Sequence, residues 1–412
     1  MKTFLFIVTE IESANGICTK AVMNSLIEQS NRVICIINKE YGYENVFTDN
    51  GIEYHCVKPR FVYSISSLLC HNKKLSKVKR IGLSIAFNVL NKAELLLSAY
   101  SWPVISKKYS KRIYKKAEEL LANNSIDAIV PIFTQIDTLI AANKVKSKNE
   151  IKYIPYFLDS LSGGYGPRVF SKERIVKRGL YWEERLLCNA DRIIMMESSR
   201  LHHECYSKDK SYYDRIIFLD LPLLSKNKVD EGKTMLVPSK INLVYAGSLP
   251  SGIRSPESVL HIFDKIDDDN WSLIFVGDKT DELMKAESKD KRVHAVGRCD
   301  HNTAMGYINQ ASILINIGNK NSNMAPSKIF EYMSFKKPII NFYEIEDEPS
   351  IRYLDKYPCC LQINVNSCDK NTIDAIREFV NKYHKAYVVD DLTEIYRKNT
   401  PQMTSSAMLE IL

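Results

Sequence analysis

The chain has 412 residues, a length that suits two domains at roughly 100–200 residues each. Hydrophobic residues make up 45% and charged residues 26%, which excludes a disordered chain or a fibre. The net charge of +8 is unevenly placed: residues 57–116 hold 14 Lys or Arg against the single acid Glu94, a surplus that exceeds the net charge of the whole protein.

The N-terminus, MKTFLFIVTE, carries a five-residue apolar run, Phe4 to Val8. A secretory core needs about 7–15 apolar residues, so this run reads as a buried strand. No uninterrupted apolar run reaches the 18 or so residues of a membrane span. The expectation is a cytoplasmic protein, neither secreted nor membrane-spanning. The ten cysteines show no CxxC and no zinc-finger spacing. They read as free thiols of a reducing compartment.

Residues 3–8 are followed by the turn EIESANG, a helical pattern through Cys18, Val22 and Leu26, and a second apolar strand at 33–37. Strand, helix, strand with unbroken apolar strands predicts a parallel sheet. Further strands are expected at 127–132, 153–158 and 192–196, with helices at 107–122 and 174–188 between them. This first half, 1–225, reads as one doubly wound α/β domain. Its first turn holds Ser13, Asn15 and Gly16. Gly16 is either an ordinary strand–helix turn or a point where backbone approaches a ligand. Asp159 ends the strand at 153–158 and precedes the glycine-rich loop SLSGGYGPR, whose glycines imply flexibility. His202 and His203 read as surface residues.

The basic stretch 57–116 interleaves aromatics with its lysines and arginines. The run IGLSIAFNVLNKAELLLSAY has apolar residues at helical spacing. It reads either as a buried helix with a solvated basic face or as a surface drawn to anionic lipid. No nucleic-acid recognition module is present, so nucleic acid is not expected as a partner.

The polar segment 223–240 is the linker candidate. Strands then recur at 241–247, 272–277, 293–297, 313–317, 338–342 and 359–363, with helices at 256–266, 301–310, 326–335 and 371–386. A second doubly wound domain at 240–385 follows, then a helical segment, 386–412, expected to return to the first domain. Ligands in open α/β sheets sit at the carboxyl ends of the strands.

The stretch NSNMAPSKIFEYMSFKKPII, Asn321 to Ile340, is the richest in chemistry. Pro326 suits a first helical turn, where its missing N–H is not needed. The free N–H groups near Ser327 and Lys328 would face an anion, aided by the helix dipole and the lysine charge. Glu331 lies one turn on, on the same face. Phosphate at the helix tip and a carboxylate for ribose hydroxyls suit a nucleotide. An ordinary Lys–Glu surface pair is the alternative.

The ordered series YAGSLPSGIRSPESVL, FVGD, VHAVGR, DHNTAMGYI, QASILINI and PSKIFEYMSFKKPII resembles the donor-binding domain of GT-B glycosyltransferases of the retaining family 4 type. Weaker likenesses lie in FIVTE…NGICTKAVMNSLIEQSNRVICII and ERLLCNADRIIMMESS. The resemblance implies two Rossmann-like domains facing a cleft. It implies transfer of a hexose from a nucleoside-diphosphate sugar to an acceptor on the first domain, with no metal and no further cofactor.

By the same resemblance Arg254, after Gly247, is the phosphate-binding arginine, and Gly297 and Arg298 border the base. Glu331 is the second, ribose-binding carboxylate of the paired-Glu motif. The first carboxylate falls on Asn323, which departs from the family and can only exchange hydrogen bonds with sugar hydroxyls. Lys328 can stand in for the lysine the family usually places after the arginine. Asp159 is a candidate base or acceptor binder. A lipid-linked glycan is the expected acceptor, at the inner face of a bacterial membrane, in surface-polysaccharide synthesis. A sugar-nucleotide epimerase and a catalytically inert sugar-nucleotide-binding subunit are the rivals.

Overall fold

The apolar runs become strands of two six-stranded, mainly parallel sheets because an all-apolar strand is stable only when covered on both faces. The computed structural model describes residues 1–72, 74–164, 166–167, 169–224, 234, 236–320, 328–385 and 392–412. They fall into two units, Met1–Pro222 with Lys398–Leu412, and Leu223–Arg397. The expected last segment is therefore divided: Leu392 to Arg397 belong to the second unit, and the residues from Lys398 on to the first.

In chain order the first unit holds β1 (Thr3–Ile7), α1 (Ala14–Glu28), β2 (Arg32–Asn38), β3 (Val46–Asp49), β4 (Ile52–Val57), α2 (Phe61–His71), α3 (Lys77–Ser101), α4 (Lys107–Asn123), β5 (Ala128–Pro131), α5 (Ile136–Lys146), β6 (Lys152–Tyr153), β7 (Tyr156–Phe157), α6 (Lys172–Leu187), β8 (Ile193–Met196), α7 (Arg200–Tyr206) and β9 (Ile216–Leu219). The main sheet runs β3-β4-β2-β1-β5-β6, and β7-β8-β9 form a smaller one. All of β1 is buried, with Phe4 level with Val33 on one side and Ala128 on the other. The single strand expected at 153–158 is two. Pro155 has no N–H to give a ladder, so Tyr153 pairs into the main sheet and Tyr156 and Phe157 into the smaller one. The hairpin of β3 and β4, the antiparallel edge of the main sheet, had no counterpart in the sequence reading.

One feature was not visible to a count of uninterrupted apolar residues. α3 has 25 residues, none buried, and is long and apolar enough to cross a membrane by length and composition. Polar residues interrupt the apolar run, which is why run length alone missed it.

The second unit holds β10 (Ile241–Gly247), α8 (Glu257–Lys265), β11 (Trp271–Gly277), α9 (Asp281–Lys289), β12 (Val293–Gly297), α10 (His301–Gln310), β13 (Ile313–Ile317), α11 (Lys328–Ser334), β14 (Ile339–Tyr343), α12 (Ile351–Leu354), β15 (Cys360–Asn364) and α13 (Lys370–Tyr383). Its sheet, β12-β11-β10-β13-β14-β15, is wholly parallel. That is the doubly wound order in which the chain reverses direction beside its first strand. Register aligns Asn316, Asn341 and Gln362 across three strands. Asn316 Nδ2 donates to Asn341 Oδ1 (2.6 Å), and Asn341 Nδ2 donates to Gln362 Oε1 (2.7 Å). The ladder satisfies amides that an apolar sheet would otherwise strand.

The chain ends in α14 (Pro401–Leu409), part of the first unit. Thr400 caps it and Pro401 opens it. Ser405 Oγ lies 3.0 Å from Ser25 Oγ and accepts from Gln29 Nε2 at 2.7 Å, both on or at the end of α1.

Candidate functional site

In the second unit the sheet reverses between β10 and β13, and the crevice outside such a pair is where an α/β sheet takes a ligand. The loop after β10 turns at Pro250, whose carbonyl accepts from the Ile253 and Arg254 amides. The loop after β13 is tied to it by Lys320 N–H donating to the Ile253 carbonyl at 2.9 Å. Arg254 Nε donates to Asn319 Oδ1 at 2.7 Å. Asn319 is itself buried, and its backbone N–H donates to Glu348 Oε1 at 3.1 Å. Glu348 also accepts from the Ser350 amide (2.9 Å) and hydroxyl. Burial pushes the Glu348 carboxyl up, and the hydrogen bonds from Ser350 and Asn319, with the Arg254 charge, oppose that rise. Ser350 reaches Asn341 in turn. Arg254 is thus braced through Asn319 by a buried polar network that ends in the amide ladder.

α11 is fastened to the same sheet edge. The Tyr332 hydroxyl accepts from the Ala246 amide (2.8 Å) and donates to the Ala246 carbonyl (3.1 Å), one residue before Gly247. The buried Tyr332 hydroxyl feels both the Glu331 carboxylate and the Arg254 guanidinium. Lys328 donates to Glu331, forming the i,i+3 ion pair that was the ordinary alternative for this motif. A ligand role for either side chain requires that pair to exchange. Asn323 and Ser327, with Pro326, lie outside the described residues.

The neighbouring strand ends complete the edge. Asp278, after β11, accepts from the Leu249 amide (3.0 Å) and from Arg298 Nε (2.8 Å), and both hold its carboxyl below the usual range. The Arg298 side chain is 82% exposed, and a ligand role for it requires the pair with Asp278 to exchange. Gly297 has φ +86°, and a Cβ on it would meet Lys279. Gly277, not singled out from sequence, is more constrained: at φ +143° a Cβ would lie 1.9 Å from the Gly247 carbonyl oxygen. Gly247, Arg254, Gly297, Arg298, Lys328 and Glu331 therefore all belong to strand ends, following loops or the crossover helix of one sheet edge. Asn319, Glu348, Asp278 and Tyr332 were missed. An asparagine after a strand and a glutamate in the acidic run EIEDEPS carry no periodic signal.

The first unit has its own reversal, between β1 and β5, where Thr9 Oγ1 meets Thr134 Oγ1 at 2.7 Å. A cavity of about 310 Å³ opens there beside Glu10, Ser13, Asn15 and Tyr63. A second, of about 250 Å³, shares Glu10 and Ser13 and adds Glu12, Glu40 and His71. Burial pushes the carboxyls of Glu10 and Glu40 up. Gly16 does allow a close approach, but to the chain's own backbone: a Cβ there would lie 2.1 Å from the Glu10 carbonyl oxygen. Ser13 caps α1 by accepting from the Gly16 amide. Asp159 is exposed and accepts from Asn15 Nδ2 at 3.2 Å, beside this cavity's rim residue.

Two readings need correction. His203 is fully buried rather than on the surface. The described start of the glycine-rich loop is pinned rather than free. Ser162 Oγ lies 2.9 Å from His202 Nε2, and Ser160 Oγ lies 3.3 Å from His203 Nε2. The Ser162 amide donates to the buried Glu183, which also accepts from Tyr212. A Cβ on Gly179 would lie 2.4 Å from Ser162 Cα, so this glycine lets α6 press on the loop. Burial pushes both imidazoles down to about 4. Among the described residues no group of three or more His, Cys, Asp or Glu is placed to hold a metal ion.

With both units described, the architecture is that of the GT-B fold, two Rossmann-like units in one chain. Three solved structures illustrate it. HepE of Anabaena in complex with UDP is 10% identical, with a TM-score of 0.53 over 100% of this chain and 97% of that one. The lipopolysaccharide outer core galactosyltransferase WaaB is 12% identical, with a TM-score of 0.54 over 100% and 99%. A glycosyltransferase from Rickettsia africae is 11% identical, with a TM-score of 0.53 over 100% and 97%. No protein-family model matches the chain, and no curated relative does.

Proposed function

We propose that this chain is a retaining glycosyltransferase of the family 4 type, moving a hexose from a nucleoside-diphosphate sugar bound by the second unit. The contact that carries the proposal is Arg254 held by Asn319 at the reversal between β10 and β13. A guanidinium fixed at the ligand crevice of a Rossmann-like sheet suits a diphosphate, and hydrogen bonds to charged groups contribute roughly 1.5–3 kcal/mol each. A nucleotide sugar brings its own leaving group. The protein's part is to stabilise the negative charge that grows on the diphosphate as the glycosidic bond breaks. Arg254 and Lys328 supply positive charge, Glu331 accepts from ribose hydroxyls, and Gly247, Gly297 and Arg298 line the nucleotide. A uridine nucleotide is the first donor to test, because the structurally similar HepE is seen with UDP and with UDP-glucose.

The acceptor is assigned to the first unit, at the crevice of Glu10, Ser13 and Tyr63, with Asp159 as a binder of its hydroxyl. A lipid-linked glycan at the inner face of a bacterial membrane, in surface-polysaccharide synthesis, fits this reading. Incubation of nucleotide sugars with crude lipid acceptors, followed by mass spectrometry, tests it. A product heavier than the acceptor by one sugar is expected. Conversion of the donor in the absence of acceptor would instead identify an epimerase. Asn323, standing where the resembling family has a carboxylate, favours one further reading, an inert sugar-nucleotide-binding subunit. Donor binding without turnover across an acceptor panel would establish that reading.

A further inference from the structure

None of the 25 residues of α3 is buried. Val78, Ile81, Ile85, Val89, Leu96 and Tyr100 follow one another three, four or seven residues apart, the spacing of one helix stripe. Each is at least 59% exposed. The stripe runs along a helix of 25 residues, about 37 Å at 1.5 Å per residue. An apolar strip of that length is the mark of an interaction surface.

The charges beside the stripe select its partner. Lys77, Lys79, Arg80 and Lys92 lie on α3, and the single acid, Glu94, is already paired to Arg60 at 3.1 Å. Arg60 also donates to the buried Asp137 and to the Val104 carbonyl. Arg80 donates to the Leu69 and Asn72 carbonyls at the end of α2. The Glu94 and Arg80 contacts fasten the inner side of α3 to its own unit; the outer side is left largely apolar, with Asn88 and Lys92 on the stripe and Lys77 and Lys79 at its borders. A second copy of this face would bring lysine against lysine with no carboxylate to answer. Asn88, Asn91 and Lys92 in mid-helix, and the Glu94 tether, oppose passage across a bilayer. A helix that is apolar on one side and cationic beside it suits the interface of an anionic membrane.

We propose that α3 lies flat on an anionic bilayer, its outer stripe in the acyl boundary and its lysines at the headgroups. The same helical hairpin supplies Tyr63, Ser66 and His71 of α2 to the wall of the acidic cavity. The docking is independent of the donor-site assignment, and its test uses no nucleotide.

The full chain is floated with phosphatidylcholine vesicles, with and without phosphatidylglycerol. Partitioning onto the anionic vesicles is expected, weakening as salt is raised. The triple variant I81S/I85S/V89S is expected to lower partitioning by about tenfold or more, and K77Q/K79Q to flatten its salt dependence. Far-UV circular dichroism checks that the variants fold. As a second measurement, Tyr100→Cys in a chain whose exposed Cys70, Cys205 and Cys299 are changed to serine, carrying an environment-sensitive dye, is expected to shift to the blue on anionic vesicles. Equal partitioning by the triple variant overturns the proposal. So does an unshifted dye, or a natural chain that ignores vesicles and forms a dimer that the triple variant dissociates.

Discussion

At the reversal between β1 and β5 the first unit gathers Glu10, Glu12 and Glu40 around its cavities. At the reversal between β10 and β13 the second presents Arg254, with Lys328 at the start of the crossover helix. The backbone device is the same in both, a parallel sheet whose order turns beside its first strand. Different side chains at the same topological position teach that the fold supplies the crevice and the side chains choose the ligand. On the proposed function, the second crevice takes the diphosphate and the first the acceptor. A neutral polyhydroxyl compound suits the first.

The contrast breaks most severely at its cation. Arg254→Ala is expected to lower transfer by roughly 10- to 150-fold, the worth of about 1.5–3 kcal/mol, with thermal unfolding little changed. Glu331→Ala is expected to act in the same direction through ribose binding, read as a raised KM for donor. Next comes the support beneath the cation. Asn341→Leu strands the Asn316 and Gln362 amides of the ladder and is expected to destabilise by about 1–3 kcal/mol, measured by denaturant unfolding.

A third test separates the polar interiors of the two units by pH. His202 and His203 sit near 4, below the roughly 6.5 of an unfolded chain. The unfolded state therefore takes up protons first, and this share of stability is present above about 6.5 and lost as pH falls towards 4. The burial-raised Glu183 acts with the opposite sign, so the histidine share is read from a variant. His203→Gln is expected to show a shallower fall of Tm on acidification than the natural chain. The smallest expected effect sharpens the contrast from the other side: Glu10→Gln is expected to leave donor affinity by calorimetry within about twofold, because Glu10 belongs to the first unit and the donor is assigned to the second.

The strands were the most legible part of the sequence. Residues 241–247 and 313–317 coincide with β10 and β13 because unbroken apolar runs between turn residues leave little choice. Arg254, Lys328 and Glu331 were legible from local spacing and from a family resemblance. Asn319, Glu348 and the Asn316–Asn341–Gln362 ladder were not, since they meet only through register and loop closure across separate strands. His203 looked like surface because its neighbours in sequence are polar. Its burial comes from Ser160, Ser207 and Phe218, which pack around it in space. The periodicity of α3 was visible, but periodicity does not say whether an apolar stripe is covered.

The return of the chain's end to its beginning has a practical corollary. Because α14 packs on α1, the first Rossmann-like body is discontinuous in sequence, and a linear fragment stopping at Pro222 would bare the α1 surface that Ser405 and Met408 cover or adjoin. Cleavage near Lys398 is expected to loosen the N-terminal body rather than the one from which the scissile bond hangs. An internal deletion that joins Pro222 directly to Lys398 is the way to obtain that body alone.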